Sequence, residues 1–434
     1  MPQKHRIVVV GGGAGGLELV TRLGKRLGRK GLAEVTLIDS KTTHIWKPLL
    51  HEVAAGTLDV AEHQLEYLAQ AHWRHFRFRL GRMDGLDREQ QLIYVAPTLN
   101  EKGEEIIPRR SFPYDTLVIA VGSVSNDFGI EGVREHCLFL DTLGQAQQFQ
   151  RQLLDTLLYI HTHKKTEAGQ LGIAIIGAGA TGVELTAQLH QVTRQLNAYG
   201  LDEFIPEQDI SLHLVEAGPR ILPQLPEGLA AQACEKLEAL GVRIHVDERV
   251  TRIDKNGVST AAGDVIPAGI KVWAAGIKAP DFLRDIDGLE TNNINQLVVY
   301  KNLQTTRDTN IFALGDCAAC PDDAGGFVPP RAQAAHQQAS FLARAIEKKI
   351  RDKPIGEYHY HDYGSLVTLG RYSTVGSLMG NIPGSIMVSG FIARSVYLSL
   401  HKMHQIALFG WFRTGMLSLA HLLRRGVDPE IKLH

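Results

Sequence analysis

Two glycine-rich turns of one kind constrain the fold of this 434-residue chain more than any other feature. The turn Gly-Gly-Gly-Ala-Gly-Gly spans residues 11–16 after the apolar run 7–10, and Gly-Ala-Gly-Ala-Thr-Gly spans 177–182 after the apolar run 173–176. An apolar strand that ends in such a turn and opens a helix can accept a dinucleotide pyrophosphate, because backbone N–H groups and the helix N-terminus face the phosphates. The pair predicts that one chain holds two dinucleotides and passes electrons between them.

Each half of the chain then repeats the same order of elements. A predicted strand ends at Asp39 in the first half and at Glu216 in the second, where an acidic side chain can accept hydrogen bonds from ribose hydroxyls. A later apolar strand is closed by Gly122 in the first half and by Gly276 in the second. The acid follows its turn at a longer spacing in the second half, which makes the ribose assignment of Glu216 the weaker one. The repetition indicates an internal duplication of architecture.

The composition excludes several classes of protein. With 44% hydrophobic and 21% charged residues the chain is an ordinary globular protein, and its length predicts two or three domains. A net charge of −1 gives no reason to expect a nucleic-acid partner, and four cysteines are too few for a disulfide framework. We expect no signal peptide, because only four apolar residues precede Gly11, and no spanning helix, because no run of about 18 apolar residues occurs.

The later part of the chain carries a third group of motifs. An apolar strand over 311–314 leads to Gly315 and Asp316, and a helix is predicted to begin near Arg331 after two prolines. On that helix Gln333 and Gln337 are four residues apart and share a face.

These motifs together make the chain resemble the type II NADH:quinone oxidoreductases, which are flavoproteins with two dinucleotide-binding folds. The segments that carry the resemblance are the turn 11–16, residues 46–54 (Trp-Lys-Pro-Leu-Leu-His-Glu-Val-Ala), 177–184, Gly315-Asp316, and 332–338 (Ala-Gln-Ala-Ala-His-Gln-Gln). The last segment is the more specific, since glycine turns are common to the whole superfamily.

The resemblance implies an α/β fold with two Rossmann-like dinucleotide-binding domains, one for FAD and one for NADH, plus a C-terminal membrane-contact region. The expected boundaries are 1–140 for the first part of the FAD-binding domain, 141–285 for the NADH-binding domain, 286–364 for the second part of the FAD-binding domain, and 365–434 for the membrane-associating region.

The resemblance also assigns the cofactor-binding residues. One FAD is expected to bind non-covalently at the first turn, while NADH binds as a substrate at the second. Glu216 would repel a 2′-phosphate and so favour NADH over NADPH, although the nearby Arg220 would soften that preference. The cofactor-binding residues so assigned are Gly11, Gly13, Ala14, Gly15, Gly16, Asp39, Ser40, Lys47, Gly122, Asp316, Ala334, Gly177, Gly179, Ala180, Thr181, Gly182, Glu216 and Gly276.

Three residues are assigned to catalysis by the resemblance, and each has a plainer interpretation. Glu184 would position substrate or relay protons near the nicotinamide and the flavin, or else be a surface acid favoured by the helix dipole. Gln333 and Gln337 would donate hydrogen bonds to the carbonyls of ubiquinone or menaquinone, or else be solvent-facing glutamines on a small-residue helix. Among the cofactor-binding residues, Asp316 would bind the flavin side, or else cap a turn or helix.

The main alternatives to this functional assignment are other members of the superfamily. A sulfide:quinone oxidoreductase needs cysteines beside the flavin, and only Cys317 and Cys320 are near it; we expect these two to be reduced, structural thiols. A non-enzymatic redox-sensing flavoprotein and a soluble disulfide reductase also fit the paired turns. No cysteine-rich motif for an iron–sulfur cluster occurs, and we see no zinc-ligand spacing.

The C-terminal tail, within residues 365–434, has a pattern that bears on membrane contact. Ile392, Val396, Leu400, Met403 and Ala407 recur at helical spacing, and aromatic and basic residues follow them over 408–425. This pattern suits amphipathic helices that lie in a bilayer interface, although a core-facing or dimer-forming helix uses the same pattern. We expect a peripheral protein on the cytoplasmic face of the bacterial inner membrane, with a homodimer left open.

Overall fold

The structure is a computed structural model that describes residues 4–163, 171–201, 205–369, 374–378, 386–389, 401–424 and 431–432. The predicted tail positions Ile392, Val396 and Leu400 lie outside these residues.

The first glycine turn lies at the carboxyl edge of a six-stranded sheet. The central strands of the sheet are apolar and buried on both faces, as a parallel sheet covered by helices requires. All neighbouring strands are parallel except the first pair, which is antiparallel. Across the sheet the strands are Gln304–Thr305, Asp308–Ala313, Thr116–Ile119, His5–Val10, Ala33–Asp39 and Arg77–Leu80.

The second glycine turn lies at the same edge of a five-stranded parallel sheet. In both sheets the strand before the turn lies between the strand that ends at the acid and the strand that is closed by glycine. The duplicated order along the sequence is therefore also the spatial order. Across the second sheet the strands are Leu138–Phe139, Ile270–Trp273, Leu171–Ile176, Ile210–Val215 and Arg243–His245.

The helices that follow the two turns differ in one respect. The second fingerprint helix, Ala180–Ala198, is regular, whereas the first, Ala14–Leu23, passes into a π-helical turn, Gly24–Gly28. The sequence predicts a single helix to residue 27. The π turn occurs where the chain at 74–75 packs closely: a Cβ on Gly24 would lie 2.1 Å from the carbonyl oxygen of Arg74. The remaining long helices are Leu143–His163, Glu227–Ala239, Tyr67–Arg74 (the outer helix) and Ala332–Ile350 (the Gln333 helix).

Smaller elements complete the two halves. The pair Val124–Ser125 and Ile277–Lys278 is antiparallel and begins just after Gly122 and Gly276, so it joins the two halves beside their glycine-closed strands. The other short strands and helices are Thr43–His44, Leu65–Glu66, Met83–Asp87, Leu92–Val95, Thr98–Leu99, Glu105–Ile107, Arg110–Pro113, Val250–Ile253, Gly257–Thr260, Val265–Pro267, Leu297–Val298, Ala318–Ala319, Lys47–Leu49, Leu50–Ala54, Val60–His63, Val133–His136, Pro206–Asp209, Asp281–Leu283, Ile286–Gly288 and Gly315–Cys317.

The C-terminal part begins with an antiparallel sheet of the strands Ser365–Thr368, Thr374–Leu378 and Ile386–Ser389. A helix over 401–409 and the C-terminal helix, Trp411–Arg424, follow, separated by Gly410 in the left-handed region (φ +83°). Among the described residues, no helix is both long and apolar enough to cross a membrane.

Candidate functional site

The two glycine turns are built alike down to single atoms. Gly11 and Gly177 have φ of +100° and +104°, which is backbone that glycine tolerates best. A Cβ on Gly16 would lie 1.9 Å from the carbonyl oxygen of Gly11, and one on Gly182 would lie 1.9 Å from that of Gly177. Only glycine fits these closing positions, so both turns are held tight enough for a phosphate to approach the backbone.

The acid at the end of the neighbouring strand binds each turn in the same way. Asp39 Oδ2 accepts a hydrogen bond from the backbone N–H of Gly12 (2.6 Å), and Glu216 Oε2 accepts one from that of Ala178 (2.8 Å). Burial raises the pKa of Asp39 above its ordinary value. Despite its longer spacing in sequence, Glu216 thus occupies the place that Asp39 has in the first half.

Arg220 does not face Glu216 with its charged group. Its guanidinium donates to the backbone carbonyls of Leu222 (3.1 Å) and Pro223 (2.9 Å) in its own loop. The expected softening of the preference for NADH therefore has no support from the position of this side chain.

One continuous cavity of about 2060 Å³ joins both turns to the N-terminus of the Gln333 helix. This volume is about twice that of a large single-ligand pocket. Of the predicted residues, Gly16, Gly182 and Ala334 do not line the cavity: the first two close the turns, and Ala334 is packed in the core. The predicted residues that do line it are Gly11, Gly13, Ala14, Gly15, Asp39, Ser40, Lys47, Gly122, Asp316, Gly177, Gly179, Ala180, Thr181, Glu184, Glu216, Gly276, Gln333 and Gln337.

Asp316 and Lys47 meet on the wall of this cavity through Ser123. The hydroxyl of Ser123 donates to Asp316 Oδ2 (2.8 Å), and Lys47 Nζ donates to the backbone carbonyl of Ser123 (2.9 Å). Lys47 Nζ also lies 3.8 Å from Asp141 Oδ1, and Asp141 accepts from the backbone N–H of Ser125. Asp316 is therefore part of a polar network beside the first turn, and no sequence motif indicates that Ser123 and Asp141 belong to it.

Glu184 is buried, which rules out its interpretation as a surface acid. The sequence predicts it on the first turn of its helix, whereas it lies in the second. Burial raises its pKa to about 8, although a hydrogen bond from the N–H of Thr368 (3.0 Å) opposes that shift. His51 Nδ1 lies 3.6 Å from Glu184 Oε2, and burial lowers the pKa of His51 to about 4. Both groups are therefore neutral near pH 7, although their separation would allow an ion pair.

The amides of Gln333 and Gln337 are both engaged by the chain at 361–364. Gln333 Nε2 donates to the carbonyl of Gly364 (3.0 Å), and its Oε1 accepts from the N–H of Tyr363 (3.2 Å). Gln337 exchanges two hydrogen bonds with the backbone of His361 (2.8 and 3.0 Å). These glutamines are therefore not simply solvent-facing; they hold a segment that lines the cavity at Tyr363 and Gly364.

Two further contacts of the Gln333 helix have no counterpart among the sequence-based expectations. Gln338 Oε1 accepts from the N–H of Gly315 (2.7 Å), so this buried amide fixes the turn that carries Asp316. His336 Nδ1 lies 2.6 Å from the carboxylate of Glu18, a fully buried residue on the first fingerprint helix. These contacts seat the N-terminus of the Gln333 helix against the first glycine turn.

The carbonyl of Gly12 is held by two side chains that no sequence pattern indicates. Tyr67 donates its hydroxyl to it (2.7 Å), and His44 Nδ1 lies 2.9 Å from it. Because a carbonyl only accepts, Nδ1 of His44 carries the proton, and His404 Nε2 then donates to His44 Nε2 (3.1 Å). Burial lowers the pKa of His44 to about 4 and that of His404 well below its ordinary value, so this chain of imidazoles is neutral.

Cys317 and Cys320 are free thiols and are completely buried. Burial raises the pKa of Cys317 to about 11 and that of Cys320 to about 12. A protonated thiol is a poor nucleophile, so the pair does not have the properties of a redox-active or sulfur-capturing site.

Comparisons with known proteins identify a matching family model and similar proteins. The family model "pyridine nucleotide-disulphide oxidoreductase" matches residues 5–339. A type II NADH:quinone oxidoreductase of Haemophilus influenzae is 42% identical over 99% of this chain and 99% of its own length. The type II NADH:quinone oxidoreductase Ndh of Mycobacterium tuberculosis is 28% identical over 96% of this chain and 87% of its own length.

Solved structures are similar along the whole chain. NDH2 from Plasmodium falciparum, in complex with NADH, superposes with a TM-score of 0.81 at 19% identity, covering 99% of this chain and 100% of that one. The sulfide:quinone oxidoreductase of Aquifex aeolicus superposes with a TM-score of 0.71 at 18% identity, covering 98% and 96%. At these identities the likeness establishes the fold alone.

Proposed function

The chain belongs to the pyridine nucleotide-disulphide oxidoreductase family and, within it, to the type II NADH:quinone oxidoreductases, and we propose that it oxidises NADH through one bound FAD and reduces a membrane quinone. The membership confirms the resemblance, the α/β fold with two Rossmann-like parts and the pairing of FAD with NADH. The observation that carries the proposal is the single cavity that joins two dinucleotide turns to the Gln333 helix.

The first turn fits FAD. Nothing lies within 4 Å of a Cβ built on Gly13, so this backbone is open toward the cavity where a pyrophosphate would lie. We propose that Gly11, Gly13 and the helix N-terminus hold the pyrophosphate, that Asp39 accepts from the adenosine ribose, and that Asp316 holds the flavin side. Bound FAD supplies the two-electron chemistry that connects NADH to quinone.

The second turn fits NADH. Gly179 is open toward the cavity in the same way as Gly13, and Glu216 stands where Asp39 stands in the first half. We propose that NADH binds here and that the carboxylate of Glu216 selects against a 2′-phosphate. The boundaries 1–140, 141–285, 286–364 and 365–434 are proposed as the domains, because the strands of the first sheet fall within 1–140 and 286–364, and those of the second sheet, apart from the edge strand Leu138–Phe139, fall within 141–285.

The quinone is proposed to bind where the Gln333 helix meets the segment 361–364. Gln333 and Gln337 shape this end of the cavity by holding that segment, and a quinone carbonyl would compete with its backbone for the same amides. Ubiquinone and menaquinone share the carbonyl pair that such donors recognise.

Glu184 is proposed to handle protons at this end of the cavity. NADH brings two electrons and one proton, while reduction of a quinone to a quinol consumes two of each, so one proton per turnover must come from the protein and finally from solvent. A carboxyl group whose pKa is about 8 holds a proton at neutral pH, and a neutral imidazole lies 3.6 Å away.

We further propose that the protein is peripheral and contacts the bilayer through its C-terminal helix, on the cytoplasmic face of the inner membrane. The support is the exposed apolar surface of Trp411, Phe412, Leu419, Leu422 and Leu423. Large exposed apolar patches mark interaction surfaces, and the quinone itself resides in the bilayer.

The test is a pair of half-reactions with purified, FAD-loaded protein under anaerobic conditions. NADH should bleach the flavin absorbance, NADPH should do so much more slowly, and a short-chain quinone should then restore the colour. An unchanged flavin spectrum after NADH, or no recovery with quinone, would refute the proposal. The sulfide:quinone oxidoreductase activity is not favoured, because both nearby thiols are buried and protonated.

A further inference from the structure

The outer helix, Tyr67–Arg74, exposes two large apolar side chains although it belongs to the FAD-binding half of the chain. Leu68 is 66% exposed and Trp73 is 52% exposed. Single exposed apolar residues are normal on a globular protein, whereas contiguous ones mark an interaction surface. The surroundings of Trp73 therefore decide how it should be interpreted.

Three contacts join the outer helix and its flank to the C-terminal helices. The guanidinium of Arg413 lies over the Trp73 ring, 5.7 Å from its centre. Arg74 donates to the backbone carbonyl of Leu408, and Arg424 forms an ion pair with Glu62 just before the outer helix. Trp73 thus lies next to the C-terminal helix, which carries the exposed apolar surface.

The C-terminal part of the sequence, which supplies most of this surface, is basic, and Arg424 pairs with the acidic Glu62 of the flank. Residues 363–427 contain no aspartate or glutamate but six lysines and arginines. Such a surface is attracted to anionic phospholipid headgroups. A second copy of the chain fits less well, because a two-fold interface would bring the same basic patch against itself.

We propose, resting on the function proposed above, that the bilayer is contacted by two parts of the chain that are far apart in sequence: the C-terminal helix, and Leu68 and Trp73 of the outer helix. Tyr67, the first residue of the outer helix, donates its hydroxyl to the carbonyl of Gly12 in the first glycine turn. This contact fixes the position of the outer helix relative to the FAD site. It does so independently of what the tail contributes to the affinity for the bilayer.

The natural tryptophans of the chain provide the test. Of the four, Trp46 and Trp273 are buried, so Trp73 and Trp411 are the two exposed reporters. Full-length holoprotein is mixed with vesicles of anionic phospholipid, with or without bromine on the acyl chains near the headgroup. The Trp411→Phe variant reports on Trp73, the Trp73→Phe variant reports on Trp411, and the double variant gives the emission of the buried pair.

We expect brominated lipid to quench both single variants and to leave the double variant unchanged. Trp73→Ser should also weaken partition onto vesicles about tenfold, since it removes apolar area from the interface. Turnover with a water-soluble quinone should stay unchanged.

The outcomes separate the two proposals. Quenching of Trp411 without quenching of Trp73 overturns this inference and leaves the tail contact standing. The absence of quenching at both positions overturns membrane contact as a whole, while the flavin half-reactions still report on the enzyme. Loss of a dimer in Trp73→Ser, seen by sedimentation without quenching of Trp73, would assign the surface to a second copy and overturn the inference too.

Discussion

At the scale of single residues, the site depends on groups whose burial changes their chemistry. Glu184 is a carboxyl group in an apolar setting beside a neutral imidazole, so it holds its proton at a pH where glutamate is ordinarily ionised. The same burial makes Cys317 and Cys320 inert. Burial therefore has opposite consequences for two groups that both look reactive in the sequence. It keeps the carboxyl group of Glu184 protonated near pH 7, and it makes the two thiols unreactive.

Glu184 should make the folded protein less stable as the pH rises. The unfolded glutamate releases its proton near pH 4.5, while the folded one holds it to about pH 8, so in this window the native state binds a proton that the unfolded state does not. We expect the loss to be on the order of a few kcal/mol between pH 5 and 9. Denaturant unfolding of the wild type and of Glu184→Gln across this range measures it, and parallel curves for both would contradict it.

Substitutions of two glutamines on one helix should have different effects, one on reoxidation by quinone and the other on retention of FAD. Gln333→Leu removes the amide that holds Tyr363 and Gly364, so it should slow reoxidation by quinone about tenfold and leave reduction by NADH nearly unchanged. Gln338→Leu frees the N–H of Gly315 and should instead loosen FAD, as seen in the flavin content after dialysis. If Gln333→Leu slowed both half-reactions equally, the assignment of Gln333 to the quinone site would be wrong.

At the scale of elements, the two strand–turn–helix units have the same construction, and we propose that they bind different nucleotides. In both turns a Cβ on the closing glycine would clash with the carbonyl of the opening glycine, and both turns donate a backbone N–H to a carboxylate at the end of the neighbouring strand. This symmetry yields a matched pair of substitutions.

Gly182→Ala should lower NADH affinity about 10- to 100-fold while FAD stays bound, because a methyl group 1.9 Å from the carbonyl of Gly177 forces the second turn open. Gly16→Ala should do the reverse and yield protein depleted of FAD. Flavin absorbance and a titration with NAD⁺ distinguish the two. If both variants lose FAD alone, the second turn is not the NADH site.

The elements were largely predictable, whereas the contacts between them were not. Apolar runs, glycines and terminal acids are local signals, so both turns, Asp39 and Glu216 could be located from the sequence. Tyr67, His44 and Gln338 act on backbone atoms 55, 32 and 23 residues away, and no spacing rule links such positions. The π turn at Gly24–Gly28 escaped prediction for the same reason, since it packs against a carbonyl contributed by another element.

At the scale of the whole molecule, the tail is packed against both halves of the chain and is not an appendage. His404 and Leu408 are buried against the FAD-binding half, while residue 432 exchanges hydrogen bonds with Gly56 of that half and with Gln150 of the NADH-binding half. Truncation before Ile392 should therefore abolish partition onto anionic vesicles and also lower the thermal midpoint and the FAD content. A truncated protein that keeps its vesicle binding, thermal midpoint and FAD content would contradict this role of the tail.

The histidine contact between the tail and the first turn has one more consequence. His404 donates to His44, and His44 donates to the same carbonyl of Gly12 that accepts from Tyr67, so a single line of hydrogen bonds runs from the 401–409 helix to the first glycine turn, the proposed site of the FAD pyrophosphate. Binding equilibria that share a structural element are reciprocal. If the proposed lipid contact stabilises the position of that helix, the same free energy is added to the retention of FAD, and the protein should then bind its cofactor most tightly at the membrane.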